Sequence, residues 1–228
     1  MSRRAKDSVE FRDKVLLAAA KLFLEKGYSQ SSTREIANMA DVNVSTMKQF
    51  FGVKENILCE LVKYVLEGQF KAAREIIDGK TEDPVLYYAA ETTLQLYMAE
   101  SGEHIRDLYS SAYSLPSTSR FIQQTITKKL EVIFKEYLPD LETRDFYKLE
   151  IASGGIMRGF MTIPCDMWFT MDQKVTAFLE TTLKIYDVPK EKIQEAIRFV
   201  QQFDYPVLAQ NTIHFMLERL ENQSVLFV

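Results

Sequence analysis

The residues best suited to chemistry lie between Ser32 and Lys54. Ser32-Thr33-Arg34-Glu35 has the spacing of a capping box, in which the Ser32 hydroxyl meets a free backbone N–H and Glu35 reaches back. Asp41-Val42 predicts a tight turn, and Asn43 can cap the helix that follows. Thr33–Phe50 therefore has the form of a helix-turn-helix. Ala37 is small where the two helices cross, and Ile36, Ala40, Val42, Met47 and Phe50 are apolar where a three-helix core is needed. Such a unit lays its second helix in the major groove of duplex DNA. Val44, Ser45, Lys48 and Gln49 are the positions expected to be exposed there. Glutamine reads adenine bidentately, and lysine contacts guanine or a phosphate. Thr46 and the free N–H groups beside it suit phosphate oxygens. The candidate DNA contacts are Ser32, Thr33, Arg34, Asn43, Val44, Ser45, Thr46, Lys48, Gln49 and Lys54.

Other chemistries find little support. Two cysteines, Cys59 and Cys165, and two histidines, His104 and His214, give neither a disulfide framework nor a metal-ligand spacing. They fit a reducing, cytoplasmic setting. No nucleophile–base signature or phosphate-cradling glycine loop is present, so no catalytic residue, metal or cofactor is assigned. The basic start Met1-Ser2-Arg3-Arg4-Ala5-Lys6 lacks the apolar stretch of a signal peptide, and no apolar run is long enough to span a membrane. The net charge is −4. Residues 1–54 nevertheless hold ten basic and six acidic side chains, a net +4, which leaves −8 on the remainder. A basic head on an acidic body suits a DNA reader with a separate regulatory domain. A helical protein-interaction module is the alternative; it accounts for helices but not for the basic, ordered head.

The elements that must position these residues are all helical. Phe11, Val15, Ala18, Ala19, Leu22 and Phe23 recur at helical spacing through Lys26, and Gly27 supplies the stop. A long amphipathic segment runs from Lys54 to Asp78, closed by Gly79. Further helices are predicted at about 82–100, 103–113, 117–138, 143–163, 171–186, 189–203 and 206–222. Pro84, Pro116, Pro139, Pro164, Pro189 and Pro206 fall at their edges, where proline is tolerated. No segment alternates with a two-residue period. The expected fold is all-α, with a helix-turn-helix domain at 1–53 and a ligand-binding and dimerisation bundle at 54–228.

The bundle is rich in aromatics and methionine, the lining of small-molecule pockets. Phe70, Tyr88, Thr92, Gln95, Tyr109, Tyr113, Phe121, Met157, Phe160, Met161 and Trp168 are the candidate contacts to a small apolar or aromatic ligand. Gly154, Gly155 and Gly159 lie inside a helical pattern. Each weakens the helix by about 1 kcal/mol relative to alanine, which close approach of another helix or room for a ligand would offset.

Residues 11–58 resemble the N-terminal domain of the TetR family of repressors. The resemblance runs through Ala19-Ala20-Lys21-Leu22-Phe23, Gly27-Tyr28, Ser31-Ser32-Thr33-Arg34-Glu35-Ile36-Ala37, Ala40-Asp41-Val42-Asn43, Thr46-Met47 and Phe51-Gly52-Val53-Lys54-Glu55-Asn56-Ile57-Leu58. It departs at Asp41, in place of a turn glycine; at Ser45, in place of a glycine; at Lys48, in place of a phosphate-contacting tyrosine; and at Val53, in place of a capping side chain. The resemblance implies a homodimer, a variable ligand-binding domain, and release of operator DNA when an inducer binds. It also implies a four-helix dimer bundle, to which the helix carrying Val175, Phe178, Leu179, Leu183 and Tyr186 would bring an apolar stripe. The Lys54–Asp78 helix is expected to carry the ligand signal to the DNA-binding unit. The segments after Pro189 are read as an extension, either covering the pocket or enlarging the interface.

Overall fold

The computed structural model describes residues 3–225; Met1 and Ser2, the start of the basic N-terminal stretch, lie outside it. The described residues form eleven α-helices and no strands. The first three are α1 (Arg3–Lys26), α2 (Thr33–Met39) and α3 (Val44–Phe51). The long connector is α4 (Lys54–Ile77). The body holds α5 (Pro84–Glu100), α6 (Glu103–Ser114), α7 (Pro116–Phe134), α8 (Thr143–Thr162), α9 (Met171–Ile185), α10 (Lys190–Val200) and α11 (Tyr205–Val225).

Local signals set the boundaries. Gly27 takes φ +84° and its N–H returns to the Phe23 carbonyl at 2.9 Å, which ends α1. Pro84 and Pro116 occupy first turns, where the missing N–H removes no intrahelical bond. Asp83 caps α5 by accepting from the N–H groups of Val85 and Leu86. Thr170 and Gln173 form a capping box on α9.

Helix α5 is the axis of the body. It is apolar on nearly every side and buried on nearly every side, packed by α4, α6, α7, α8, α9, α10 and α11. A first core surrounds it, from Ile76 and Leu94 to Phe146, Leu179 and Ala209. A second core joins Phe23, Ile36, Met47 and Phe51 to the N-terminal half of α4 through Leu58 and Leu61, and takes in Ala112 of α6, Ile122 of α7 and Leu220 of α11.

One sequence expectation changes here and another narrows. The apolar stripe on α9 does not face outward: Val175, Phe178, Leu179, Leu183 and Tyr186 are all buried in the protomer's own core, Tyr186 stacking on Phe134 with centroids 4.0 Å apart. It therefore supplies no surface for a second copy. The extension after Pro189 has a definite role: α10 packs on α5 and α9, while α11 runs back over α1, α4 and α5. Gly68 makes the α4–α11 crossing, since a Cβ there would stand 2.8 Å from Met216 Sδ. Tyr64 donates to the Met216 carbonyl at 2.9 Å, and Lys21 pairs with Glu221 at 2.6 Å.

Candidate nucleic-acid interface and the cavities behind it

The helix-turn-helix is built from the caps that the sequence announces. Ser32 Oγ accepts from the Glu35 N–H at 3.3 Å, and Glu35 Oε2 accepts from the Ser32 N–H at 2.9 Å. Lys26 also pairs with Glu35; its ammonium and the Ser32 groups hold that carboxyl down at about 2. Asp41 takes φ +52°, a left-handed geometry that aspartate tolerates, and this turns the chain between α2 and α3. Asn43 Oδ1 accepts from the N–H groups of Ser45 and Thr46 at 2.8 and 3.3 Å, starting α3. Ile36, Ala37 and Met47 lock the two helices into the core.

This packing leaves one polar face. Ser32, Arg34, Asn43, Ser45, Thr46, Lys48 and Gln49 are exposed, and Thr33 is half-buried at the start of α2. Val44 is also half-buried and leans on the core. Phe50 is not the core residue expected. It is 46% exposed, in contact with Phe11, while Phe51 one position on fills the core. The rest of the helix keeps the phase read off the sequence, with Met47 buried and Lys48 and Gln49 exposed. Asn56 donates to the Phe51 carbonyl at 2.7 Å, closing α3.

Lys54 is drawn inward. Its Nζ donates to the carbonyls of Tyr28 and Ser31, each at 2.7 Å, and lies 4.0 Å from the centre of the Tyr28 ring. Burial lowers its pKa below the ordinary value. It ties the start of α4 to the α1–α2 turn, and α4 starts on Val53 without a side-chain cap. The same turn is held by α6: Asp107 accepts from the Ser29 N–H at 2.8 Å and from its hydroxyl at 2.6 Å. Gly27 permits this approach, since a Cβ there would lie 2.7 Å from Asp107 Oδ2.

Two cavities lie behind this unit. The first, of about 90 Å³, opens between α1, α4, α5, α6 and α11, with apolar walls from Leu24, Leu61, Met98, Leu108, Met216 and Leu217. The second, of about 50 Å³, lies between α4, α5, α7 and α8 and is more polar. Gln95 and Tyr113 line both; their side chains share a 2.9 Å hydrogen bond and form the partition. Of the candidate ligand contacts, Phe70, Tyr88, Thr92 and Met157 line the second cavity and Tyr109 the first. The remaining four stand elsewhere. Phe121 lies on a surface groove between α7 and α8. Phe160 packs on Phe169 and Phe178, and Met161 is buried in the body core. Trp168 is 80% exposed, on the loop between α8 and α9.

The sequence reading missed Glu91, Lys129, Glu150 and Ser153 in the second cavity, and Gln69 and the α11 residues in the first. Glu91 carried a signal: it is a lone carboxyl in the middle of an apolar helix. Gln69 bridges the cavities, its amide donating to Glu91 at 3.4 Å and its oxygen accepting from Tyr109 at 3.0 Å. Tyr109 sits two residues along α6 from Asp107. Among the described residues no group of three or more His, Cys, Asp or Glu side chains could hold a metal ion. No described helix is long and apolar enough to cross a membrane.

Comparison with known proteins agrees with this geometry. Residues 15–61 match the family model described as bacterial regulatory proteins, tetR family. The chain is 29% identical over 163 residues to a probable HTH-type transcriptional regulator, YttP, of Bacillus subtilis, covering 68% of this chain and 70% of the relative. It is 36% identical over 72 residues to the HTH-type transcriptional regulator HbdR of an Aromatoleum species, covering 32% of this chain and 31% of the relative. It is 26% identical over 134 residues to the HTH-type transcriptional regulator QacR of Staphylococcus aureus, covering 56% and 71% respectively. With α1 to the start of α4 matched in order, and HTH-type transcriptional regulators as its relatives, the chain carries an N-terminal domain similar to that of the tetR family of bacterial regulatory proteins.

Proposed function

We propose that this regulator is a cytoplasmic homodimer that represses transcription and leaves its operator when a small molecule enters the cavities of the body. Ser45, Thr46, Lys48 and Gln49 on the open face of α3 are the principal contacts to DNA. Gln49 reads a base, Lys48 a base or phosphate, and Ser32, Thr33, Arg34 and Asn43 the flanking backbone. Val44 contributes its exposed edge. Lys54 acts indirectly, by fixing the turn that carries α2.

The observation that carries the control reading is the pair of contacts along α6. Tyr109 faces the cavity and bonds Gln69, while Asp107 holds Ser29 of the DNA-binding unit. A ligand that moves Tyr109 therefore acts on the turn that positions α2 and α3. The sequence points to α4 as the connector; α6 is a second one. Half-sites lie about 34–36 Å apart per helical turn of DNA, so a shift of a few ångströms in either unit reduces affinity.

The surface proposed for the second copy is on α8, not on the buried stripe of α9. Ile151 on that helix and Ile163 just past its end are exposed, and Gly155 and Gly159 between them have open space where a Cβ would be. This strip lets a partner helix approach closely. Sedimentation should give a dimer at micromolar concentration; a monomer with and without DNA refutes it. Control is tested by reciprocity: an effector that lowers operator affinity must itself bind more weakly, by the same factor, to the operator complex. Equal effector affinities for free and DNA-bound protein would overturn the reading.

A further inference from the structure

We propose that the cavity between α4, α5, α7 and α8 takes an organic cation, a protonated amine on an apolar body, held between the carboxyl groups of Glu91 and Glu150. The assignment rests on the control reading above for its use in the cell, but the site is argued from its own chemistry.

Glu91 on α5 and Glu150 on α8 are both buried and line the same cavity. Among the described residues neither carboxyl has an ion pair. Glu91 accepts a long bond from Gln69, and Glu150 receives the Ser153 hydroxyl at 3.3 Å, a group also bonded to Tyr186 at 2.7 Å. Lys129, the nearest wall cation, lies over the Phe70 ring at 3.7 Å and forms no salt bridge with either glutamate. An uncompensated buried carboxylate costs several kcal/mol, and two facing each other cost more. Packing alone would be served better by glutamine or leucine at these positions.

The charge state agrees with an empty cation site. Burial pushes Glu91 up to about 7 and Glu150 up to about 8, the charge of Glu91 adding to the second rise. A cation entering between them reverses both effects and expels protons. An anion would meet two carboxyl groups against the single lining cation Lys129, which already sits over the Phe70 ring. The walls suit an ammonium head: Tyr88 and Phe178 bring aromatic rings to the cavity beside Phe70, and Met157 and Leu130 complete an apolar enclosure. The Gln95–Tyr113 hydrogen bond is the gate through which an apolar body would reach the first cavity.

The test uses the full chain without DNA, and pairs of ω-phenylalkylamines and the matching ω-phenylalkanols, which differ in charge but little in shape. Calorimetry at pH 7 should show amines binding at least about tenfold tighter than their alcohols. Glu91→Gln and Glu150→Gln should each shrink that preference about fivefold or more while leaving alcohol affinity alone. Amine binding should also release protons, seen as a dependence of the heat on the buffer's ionisation enthalpy. The other charged and titratable groups around the carboxyls are Arg74, Tyr87, Tyr88, Tyr109, Tyr113, Lys129 and Tyr186, and burial carries the five phenols further from neutrality. Alcohols binding as tightly as amines, no amine in the series binding, or a preference that survives both glutamine variants would each overturn the assignment. An amine that binds with the expected preference but leaves operator affinity unchanged would instead sink the control reading and spare the site.

Discussion

The two buried glutamates make the stability of the free protein depend on pH in an unusual direction. Both carboxyls are raised in the folded chain, from an ordinary 4.5 to about 7 for Glu91 and about 8 for Glu150. The folded state therefore holds protons that the unfolded state has released. Their contribution is fully present below the unfolded value near 4.5 and is lost as pH rises through 7 and 8. At 1.36 kcal/mol per pH unit, Glu91 alone corresponds to roughly 3 kcal/mol and Glu150 to roughly 5. The charge of Glu91 enters the Glu150 rise alone, and the two carboxyls titrate as a coupled pair, so the simple sum is an upper bound. Either alone is a large part of the stability of an ordinary domain, about 5–15 kcal/mol. The carboxylates held below their ordinary values, such as Glu60, Glu100 and Asp83, act in the opposite sense and only as pH falls below about 4.5. Urea titrations at half-unit steps from about pH 5 to about pH 9 should show the midpoint falling with pH. The Glu91→Gln, Glu150→Gln double variant should be nearly flat. A flat wild-type profile, or a slope that survives in the double variant, would refute the reasoning.

The remaining predictions concern the DNA-binding unit. Lys48→Ala should weaken all duplexes and lower the salt slope by about one unit, whereas Lys54→Ala should leave the slope nearly unchanged and lower the melting temperature, because its ammonium is engaged with Tyr28 and Ser31. A full unit lost from the slope on changing Lys54 would show that it reaches the phosphates after all. Gln49→Ala should change the preferred operator sequence in a selection experiment; an unaltered preference removes it as a base reader. Asn43→Ala removes the cap of α3 and should cost about 1 kcal/mol of stability, measurable by thermal melting, with a parallel loss of operator affinity. Gly27→Ala forces a side chain into a positive φ and against Asp107, and should cost at least about 1–2 kcal/mol; an unchanged melting temperature would show that the α6 contact yields freely.

What the sequence displays and what it hides follow from the range of the forces involved. Caps and turns are local, so Ser32, Asp41, Asn43 and Gly27 could be read directly, and the helix edges fell within a few residues of the prolines and glycines that set them. Helical phase is less local. Phe50 and Phe51 are equally apolar, and only the placement of α1 and α4 decides which turns inward. The α9 stripe was legible as apolar, but nothing in its periodicity says whether its partner is α5 in the same chain or a helix in another. Lys54 shows the same limit: a lysine at a helix start suits a phosphate, and only the fold reveals two carbonyls within 2.7 Å. The cavity was found in part because aromatics mark it. Its carboxyls were overlooked because charged residues are usually read as surface, although Glu91 in an all-round apolar helix is a visible exception.

The return of α11 across α1 also fixes an order of events during synthesis. Leu220 belongs to the same apolar cluster as Phe23 and Ile36, and Lys21 pairs with Glu221. Roughly 180 residues separate the end of α1 from the start of α11, which at about 5–20 residues per second is on the order of 10–40 s of translation. Over that interval the nascent DNA-binding unit leaves the ribosome with one flank uncovered. It can fold its helix-turn-helix from local contacts, but its fixed orientation on the body waits for the closing helix. The fixed placement of the helix-turn-helix thus waits on the synthesis of α11, even though its own residues are made roughly 150 residues earlier.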